Sequence, residues 1–223
     1  MTASDIKYNY FHWGPFLFHT KVSLEECKMV EEACGRCRKE SLDNRVKLAG
    51  HIREEYNLGP EANFLAPFLK KYFEVYVHGY NKWRGQGGMK PNFQLKHLWV
   101  NYMKANEFNP PHDHGADLSF VFYPHMPEEI IKECESFIGT MRGPGGIAWF
   151  YGDGQHSYIN TVHQMPSTGD FFIFPAHLKH WVFPFKSEVT RISVSGNIVL
   201  DQDSRFSYFS TNEHEVECLK KDL

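Results

Sequence analysis

With 223 residues, 42% of them hydrophobic and 16% aromatic, the chain can form one packed domain, which excludes an intrinsically disordered protein. Its formal charge of −3 gives no electrostatic basis for a nucleic-acid surface. It has no apolar run of membrane-spanning length, no signal-peptide pattern at its start and five irregularly spaced cysteines, so we expect a cytoplasmic protein that contacts no membrane.

The first predicted element is a helix from 23 to about 39. Ser23 and Glu26 have the spacing of a capping box, and apolar residues then recur at helical intervals. The helix contains a CxxC motif, Cys34 to Cys37. No second CxxC or histidine pair completes a zinc site, so we interpret these cysteines as small residues packed on a helix face.

Two more helices are predicted before residue 93. Residues 46–56 (VKLAGHIREEY) suggest a short second helix. A third is indicated by apolar residues that recur at intervals of three and four from Phe64 to Tyr76. Because proline has no N–H to donate, we expect this helix to begin only just before Pro67.

From residue 94 the pattern changes to short β-branched and aromatic runs bounded by glycine and proline, which is typical of strands. The predicted strands are QLKHLWVNYM, LSFVFY, GIAWFYG, GDFFIFP, HWVFPF and TRISVSGNIVL, with a helical insertion at PEEIIKECESFIGTM. We therefore predict one mainly β domain. Residues 1–93 form a helical support region, residues 94–200 the β core, and residues 201–223 a C-terminal tail. Helices packed on a sheet sandwich or barrel fit this order.

The last predicted strand has one polar face. Side chains alternate along a strand, so Arg191, Ser193, Ser195 and Asn197 lie on the same side. This face could point to solvent. Alternatively, it could line a barrel interior in which the planar guanidinium of Arg191 binds a carboxylate.

Three histidines at the ends of two other strands could share one metal ion. His112 and His114 stand two residues apart, so both point to the same side of an extended chain. His180 begins the predicted strand HWVFPF. A metal site with three protein ligands leaves coordination positions open. Open positions suit redox-active iron that must bind both a substrate and O₂.

The order HDH, GDFFIFPAHLKH, RISVSGN resembles the Fe(II)/2-oxoglutarate-dependent oxygenases over roughly residues 96–199. It is most similar to the branch with HxH in place of HxD, which includes bacterial and phage proteins, and it is distantly similar to prolyl hydroxylases. The resemblance implies a double-stranded β-helix, or jelly roll, with supporting N-terminal helices. It also implies a dioxygenase that uses Fe(II), 2-oxoglutarate and O₂, with hydroxylation as the default reaction.

The resemblance implies metal ligands at His112 and His180. Most of the superfamily has an aspartate at the position of His114, and we favour His114 as the third ligand. Asp117 and Asp113 remain alternatives, either as the third ligand or as acceptors for imidazole N–H groups.

For the co-substrate, the resemblance implies that Arg191, assisted by Ser193, holds the far carboxylate of 2-oxoglutarate. Tyr102 and Tyr123 stand where related prolyl hydroxylases have tyrosines that contact this molecule.

The substrate is expected to be a small molecule or a peptide or protein, with a prolyl or other amino-acid side chain as the group hydroxylated. The alternative function is a cupin-like protein that binds a metal or small ligand without oxygenase activity. Cupins usually add a glutamate four or five residues after HxH, where this chain has Leu118 and Ser119. A nucleic-acid demethylase is disfavoured by the acidic charge balance.

Overall fold

A computed structural model describes residues 14–84, 92–139, 143–152 and 161–201. The N-terminal elements are β1 (Phe18–Lys21), α1 (Leu24–Lys39), β2 (Glu55–Asn57) and α2 (Ala62–Arg84). They are followed by β3 (Asn92–Met103), β4 (Asn109–His112), β5 (Leu118–His125), α3 (Glu128–Glu135) and β6 (Ile147–Phe150). The last elements are β7 (Thr161–Gln164), β8 (Asp170–Pro175), β9 (Lys179–Val182) and β10 (Arg191–Asp201).

The strands form two antiparallel sheets. The larger has the order β1-β8-β5-β10-β3-β2 and the smaller the order β4-β9-β6-β7. The predicted jelly-roll architecture with supporting helices is confirmed, because mainly β elements form two sheets with α1 and α2 packed on the larger one. The N-terminal region also adds two edge strands to that sheet, β1 and β2, which the sequence pattern did not indicate.

Alternation along the strands divides the core into two apolar layers. Phe120 and Phe122 of β5 face the helices, whereas Val121 and Tyr123 face the space between the sheets. Both faces of β5 are therefore buried, which explains why this strand reads as an unbroken apolar run. The layer between the sheets surrounds the candidate site.

The helix predicted from 23 to about 39 is confirmed as α1. The Ser23 hydroxyl accepts a hydrogen bond from the Glu26 backbone N–H, which caps the first turn. Cys34 and Cys37 are buried on its apolar face. Burial raises the pKa of both thiols, that of Cys37 to about 11. Neutral, inaccessible thiols are poor nucleophiles, as expected for packing residues.

Two local predictions require correction, and one further strand was not predicted. Residues 46–56 do not form a helix, because they contain part of the 3₁₀ turn Arg45–Lys47 and most of β2, which pairs with β3. Helix α2 begins at Ala62, five residues before Pro67. The missing N–H near one end is tolerated because α2 buries a long apolar face. The segment NPPH forms β4, an edge strand where proline is permitted.

In the described part of the chain, no helix is long and apolar enough to cross a membrane.

A candidate metal centre with a buried arginine

Three imidazoles converge at the open end of the smaller sheet. His112 of β4 and His180 of β9 are directly paired across the two strands, with ring centroids 4.3 Å apart. His114 follows β4, and its backbone N–H donates to the Ala176 carbonyl at 2.9 Å. That bond holds its ring 5.1 Å from each of the other two. One donor atom from each ring lies within 4.8 Å of the others, so the group could hold one metal ion.

Backbone hydrogen bonds orient two of these rings. Nδ1 of His112 lies 2.7 Å from the Pro110 carbonyl, and Nδ1 of His180 lies 2.9 Å from that of Leu178. A carbonyl only accepts, so each Nδ1 carries the proton and each Nε2 keeps a free lone pair. A bond of this kind fixes the tautomer and direction of a ligating histidine.

Burial also keeps two of the rings neutral. Desolvation lowers the pKa of His114 to about 4 and that of His180 to about 3, with a smaller contribution from the neighbouring His112. His180 packs against the Phe174 ring at 4.9 Å, which excludes water from one side. Neutral imidazole is the form that binds a metal.

Neither of the two candidate aspartates joins the cluster. Asp117 accepts a hydrogen bond from the Leu200 backbone N–H at 2.7 Å and borders a different pocket, lined by Tyr76 and Tyr80. Asp113 is exposed, between the two histidines in sequence but outside the group of converging donor atoms. The structure therefore brings together His112, His114 and His180 without a carboxylate.

Arg191 lies in a cavity that extends inward from the histidines. Its side chain is fully buried, with an exposed fraction of 1%. One Nη donates to the Gly145 carbonyl at 3.1 Å and the other contacts the Met103 sulfur at 2.7 Å, whereas Nε has no partner. No described carboxylate forms an ion pair with it, and desolvation lowers its pKa. A buried, uncompensated cation favours an anionic ligand.

Two other predicted co-substrate residues share this cavity. Ser193 is buried on its wall. Tyr123 has its ring centroid 5.5 Å from the Arg191 guanidinium and a hydroxyl without a partner. Burial raises the pKa of Tyr123 to about 12, so the phenol stays protonated and can donate. A carboxylate in this cavity would meet donors from all three residues.

Tyr102 does not reach the cavity, so its predicted role is corrected. It is paired with Ile192 in the β3/β10 ladder and faces the helices, where its ring stacks with the Arg38 guanidinium. The neighbouring Asn101 is paired with Ser193 and lines the cavity instead. Alternation turns adjacent residues to opposite faces, and the prediction chose the wrong face of β3.

Sequence reasoning also missed two other cavity residues. Trp99 of β3 is paired with Ser195, and its ring lies 5.7 Å from that of His114. Asn109 of β4 borders the cavity with a buried side-chain oxygen that lacks a partner. The alternation of polar and apolar residues along β3 could have shown that Trp99 and Asn101 share a face.

Residues 97–197 match a family model described as "Putative 2OG-Fe(II) oxygenase". The matched segment contains the three histidines and Arg191. Members of this family use Fe(II), 2-oxoglutarate and O₂. No significant match was found among the curated proteins.

Solved structures show the same fold at low sequence identity. A prolyl-4-hydroxylase from Pseudomonas putida is 14% identical, with a TM-score of 0.50 over 82% of this chain and 91% of that one. The carbocyclase SnoK from nogalamycin biosynthesis is 10% identical, with a TM-score of 0.56 over 89% and 84%. A prolyl hydroxylase from Trichoplax adhaerens, in complex with a peptide of hypoxia inducible factor, is 13% identical, with a TM-score of 0.52 over 84% of each chain.

Proposed function

We propose that this protein, whose residues 97–197 match the family model described as a putative 2OG-Fe(II) oxygenase, is a non-haem dioxygenase that hydroxylates a prolyl or other amino-acid side chain. The net reaction converts substrate C–H, O₂ and 2-oxoglutarate into C–OH, succinate and CO₂. The observation that carries the proposal is the convergence of three imidazoles beside one buried guanidinium that has no ion-pair partner among the described residues.

The donor set fits Fe(II). His112, His114 and His180 would bind the ion, two of them through Nε2 atoms whose direction is set by backbone carbonyls. Three ligands leave positions open for substrate and O₂. When bound, Fe(II) supplies the redox chemistry that activates O₂ and drives oxidative decarboxylation of 2-oxoglutarate. Imidazole ligands bind a metal without offsetting its charge, so the carboxylate at the keto-acid end of 2-oxoglutarate would offset one unit of the charge of Fe(II).

The inner cavity is lined by donors that suit one carboxylate of 2-oxoglutarate. Arg191 and the hydroxyls of Ser193 and Tyr123 would hold the carboxylate that lies away from the metal, because they offer unused donors beside the one buried cation described there. Fixing that end orients the keto-acid end toward the histidines. Charge-assisted pairs of this kind are strong in a buried site.

The surrounding apolar residues would protect the chemistry from water. Phe174 packs on His180, and Trp149 is paired with His180 across β6 and β9. Both are buried between the sheets. Exclusion of water prevents side reactions of reactive intermediates.

The proposal also specifies the type of substrate, an amino-acid side chain that is hydroxylated. Its support is the fold shared with two solved prolyl hydroxylases, one of them bound to a peptide. The same fold also includes a carbocyclase, so the reaction outcome depends on the substrate cleft and not on the fold alone.

The test measures succinate and CO₂ release by protein reconstituted with Fe(II) and 2-oxoglutarate, with and without prolyl peptides and single amino acids. We expect binding of 2-oxoglutarate and substrate-stimulated succinate release, both abolished in His180→Ala. A surface variant, Arg36→Met, serves as the control. Absence of both 2-oxoglutarate binding and turnover would leave the cupin-like alternative.

A further inference from the structure

A second cleft opens beside the histidines, on the outer side of the candidate metal centre. It has a volume of about 220 Å³ and is bordered by His112 and His114. Trp99, Asn109 and the two histidines line both this cleft and the inner cavity. Pockets for drug-sized ligands usually measure about 300–1,000 Å³, so this cleft suits a smaller molecule. Its position would bring that molecule next to the metal.

Glu55 of β2 gives this cleft a buried carboxyl group. It borders the cleft with an exposed fraction of 3%. One oxygen accepts from the Asn44 amide at 2.8 Å and the other from the Asn101 amide at 2.9 Å, with the Asn101 oxygen accepting from Trp99 Nε1 at 3.3 Å. Within the described ranges, no lysine, arginine or histidine forms an ion pair with Glu55.

The hydrogen bonds of Glu55 come only from neutral amides, which do not cancel its charge. Desolvation raises the pKa of its carboxyl to about 7, and the negative Asp43 nearby contributes in the same direction. A carboxylate can accept about four hydrogen bonds, so capacity remains after the two amides. A cation that entered the cleft would compensate the buried charge.

A second acceptor in the cleft wall points to the same type of ligand. The side-chain oxygen of Asn109 is buried and has no hydrogen-bond partner. An ammonium group carries three donors and no acceptor, which complements the two acceptors that border this cleft. A neutral peptide amide offers one N–H and cannot compensate the charge of Glu55.

The exposed side chains of the cleft carry a net positive charge, opposite in sign to the buried carboxylate of Glu55. Lys47 and Lys96 are exposed and line it, together with the exposed Asp113. The two lysines outnumber the aspartate, so the outer part favours an anion whereas the buried part favours a cation. This polarity matches a zwitterion.

We propose that the cleft binds a free amino acid as the substrate, with its ammonium group on Glu55 and its carboxylate toward Lys47 and Lys96. The inference rests on the proposed oxygenase function and deepens it, because it selects a free amino acid over a residue within a peptide. Glu55 is then the residue that determines specificity. It binds the substrate but takes no part in the metal site.

The test titrates each of the twenty common amino acids singly into anaerobic protein that contains Fe(II), with and without 2-oxoglutarate, by calorimetry. The amino acid that binds tightest is then compared with its N-acetyl derivative, which lacks the cation. Glu55→Gln keeps the size of the side chain and removes its charge. Glu54→Gln is the matched control, because the adjacent Glu54 pairs with Arg38 and Lys104 instead.

We expect at least one amino acid to bind, with affinity reduced tenfold or more by Glu55→Gln and equally by N-acetylation, and unchanged by Glu54→Gln. The affinity for 2-oxoglutarate should be the same in both variants. Binding of the N-acetyl derivative as tightly as the amino acid, or of no amino acid at all, would overturn the inference. If the wild type fails to bind 2-oxoglutarate, the oxygenase proposal fails instead, and the titrations without 2-oxoglutarate still test the cleft.

Discussion

Replacement of Arg191 by methionine should have opposite effects on co-substrate binding and on stability. The guanidinium is buried, with one hydrogen bond to the Gly145 carbonyl and no anionic partner among the described residues. Methionine retains much of the side-chain volume but carries neither charge nor donors. Arg191→Met therefore removes both the cost of the buried charge and the binding energy it supplies to a carboxylate.

The expected loss of affinity follows from the contacts available to the ligand. A hydrogen bond to a charged group contributes roughly 1.5–3 kcal/mol. At about 1.4 kcal/mol per decade, Arg191→Met should raise the Kd for 2-oxoglutarate about 10- to 150-fold. Arg191→Lys should recover only part of this affinity, because an ammonium cannot form the planar bidentate pair.

The ligand-free protein should become more stable. Burial of an uncompensated ion costs several kcal/mol, and loss of the bond to Gly145 offsets about 1–3 kcal/mol of the gain. We expect a net increase of about 1–3 kcal/mol in the free energy of unfolding, or roughly 2–12 °C in Tm for a chain of this length.

Two measurements check this reasoning: anaerobic calorimetry with 2-oxoglutarate, and urea unfolding of the metal-free protein. Arg36→Met is the matched control, since Arg36 is a partly exposed arginine paired with Glu61, and it should change neither the Kd nor the stability by much. Unchanged affinity in Arg191→Met would refute the assignment of β10 to the co-substrate. A clear loss of stability would show that the guanidinium is compensated in the ligand-free state.

Three further predictions concern the remaining residues. His114→Ala should lower Fe(II) affinity more than Asp117→Ala, because Asp117 is bonded to the backbone of β10, and the reverse order in equilibrium dialysis would assign the third ligand to Asp117. Tyr123→Phe should weaken 2-oxoglutarate binding by about 0.5–1.5 kcal/mol, whereas Tyr102→Phe should leave it unchanged. An equal loss of affinity in both variants, measured by calorimetry, would show that Tyr102 also contacts 2-oxoglutarate. Burial raises the pKa of Glu55 from 4.5 to about 7, so the folded state keeps this proton longer than the unfolded state and loses stability as pH rises between these values. Glu55→Gln should remove this loss of stability, by up to about 3 kcal/mol above pH 7. Urea unfolding of the wild type and of Glu55→Gln across this pH range measures the effect. The same dependence of stability on pH in both proteins would contradict the prediction.

Much of the fold followed from local patterns. The capping box and helical spacing located α1, and short apolar runs between glycine and proline located β3, β5, β6, β8, β9 and β10. Elements whose stability depends on distant partners were missed or mistaken. The strand β2 contains three residues and exists because β3 supplies its hydrogen bonds, and β4 contains two prolines yet pairs with β9.

The sequence by itself identified the candidate site residues, since the HDH segment, His180 and the polar face of β10 could be selected from spacing and alternation. Only the tertiary structure decided which of them meet. It brought three imidazoles together without a carboxylate, turned Tyr102 away and placed Asn101 on the cavity wall. It also joined Glu55 to the outer cleft, 57 residues before His112 in the chain. The alternation of side chains along a strand fixes which of them share a face. The register between strands that are distant in sequence fixes which faces enclose a site, and that register depends on the packing of the whole sheet.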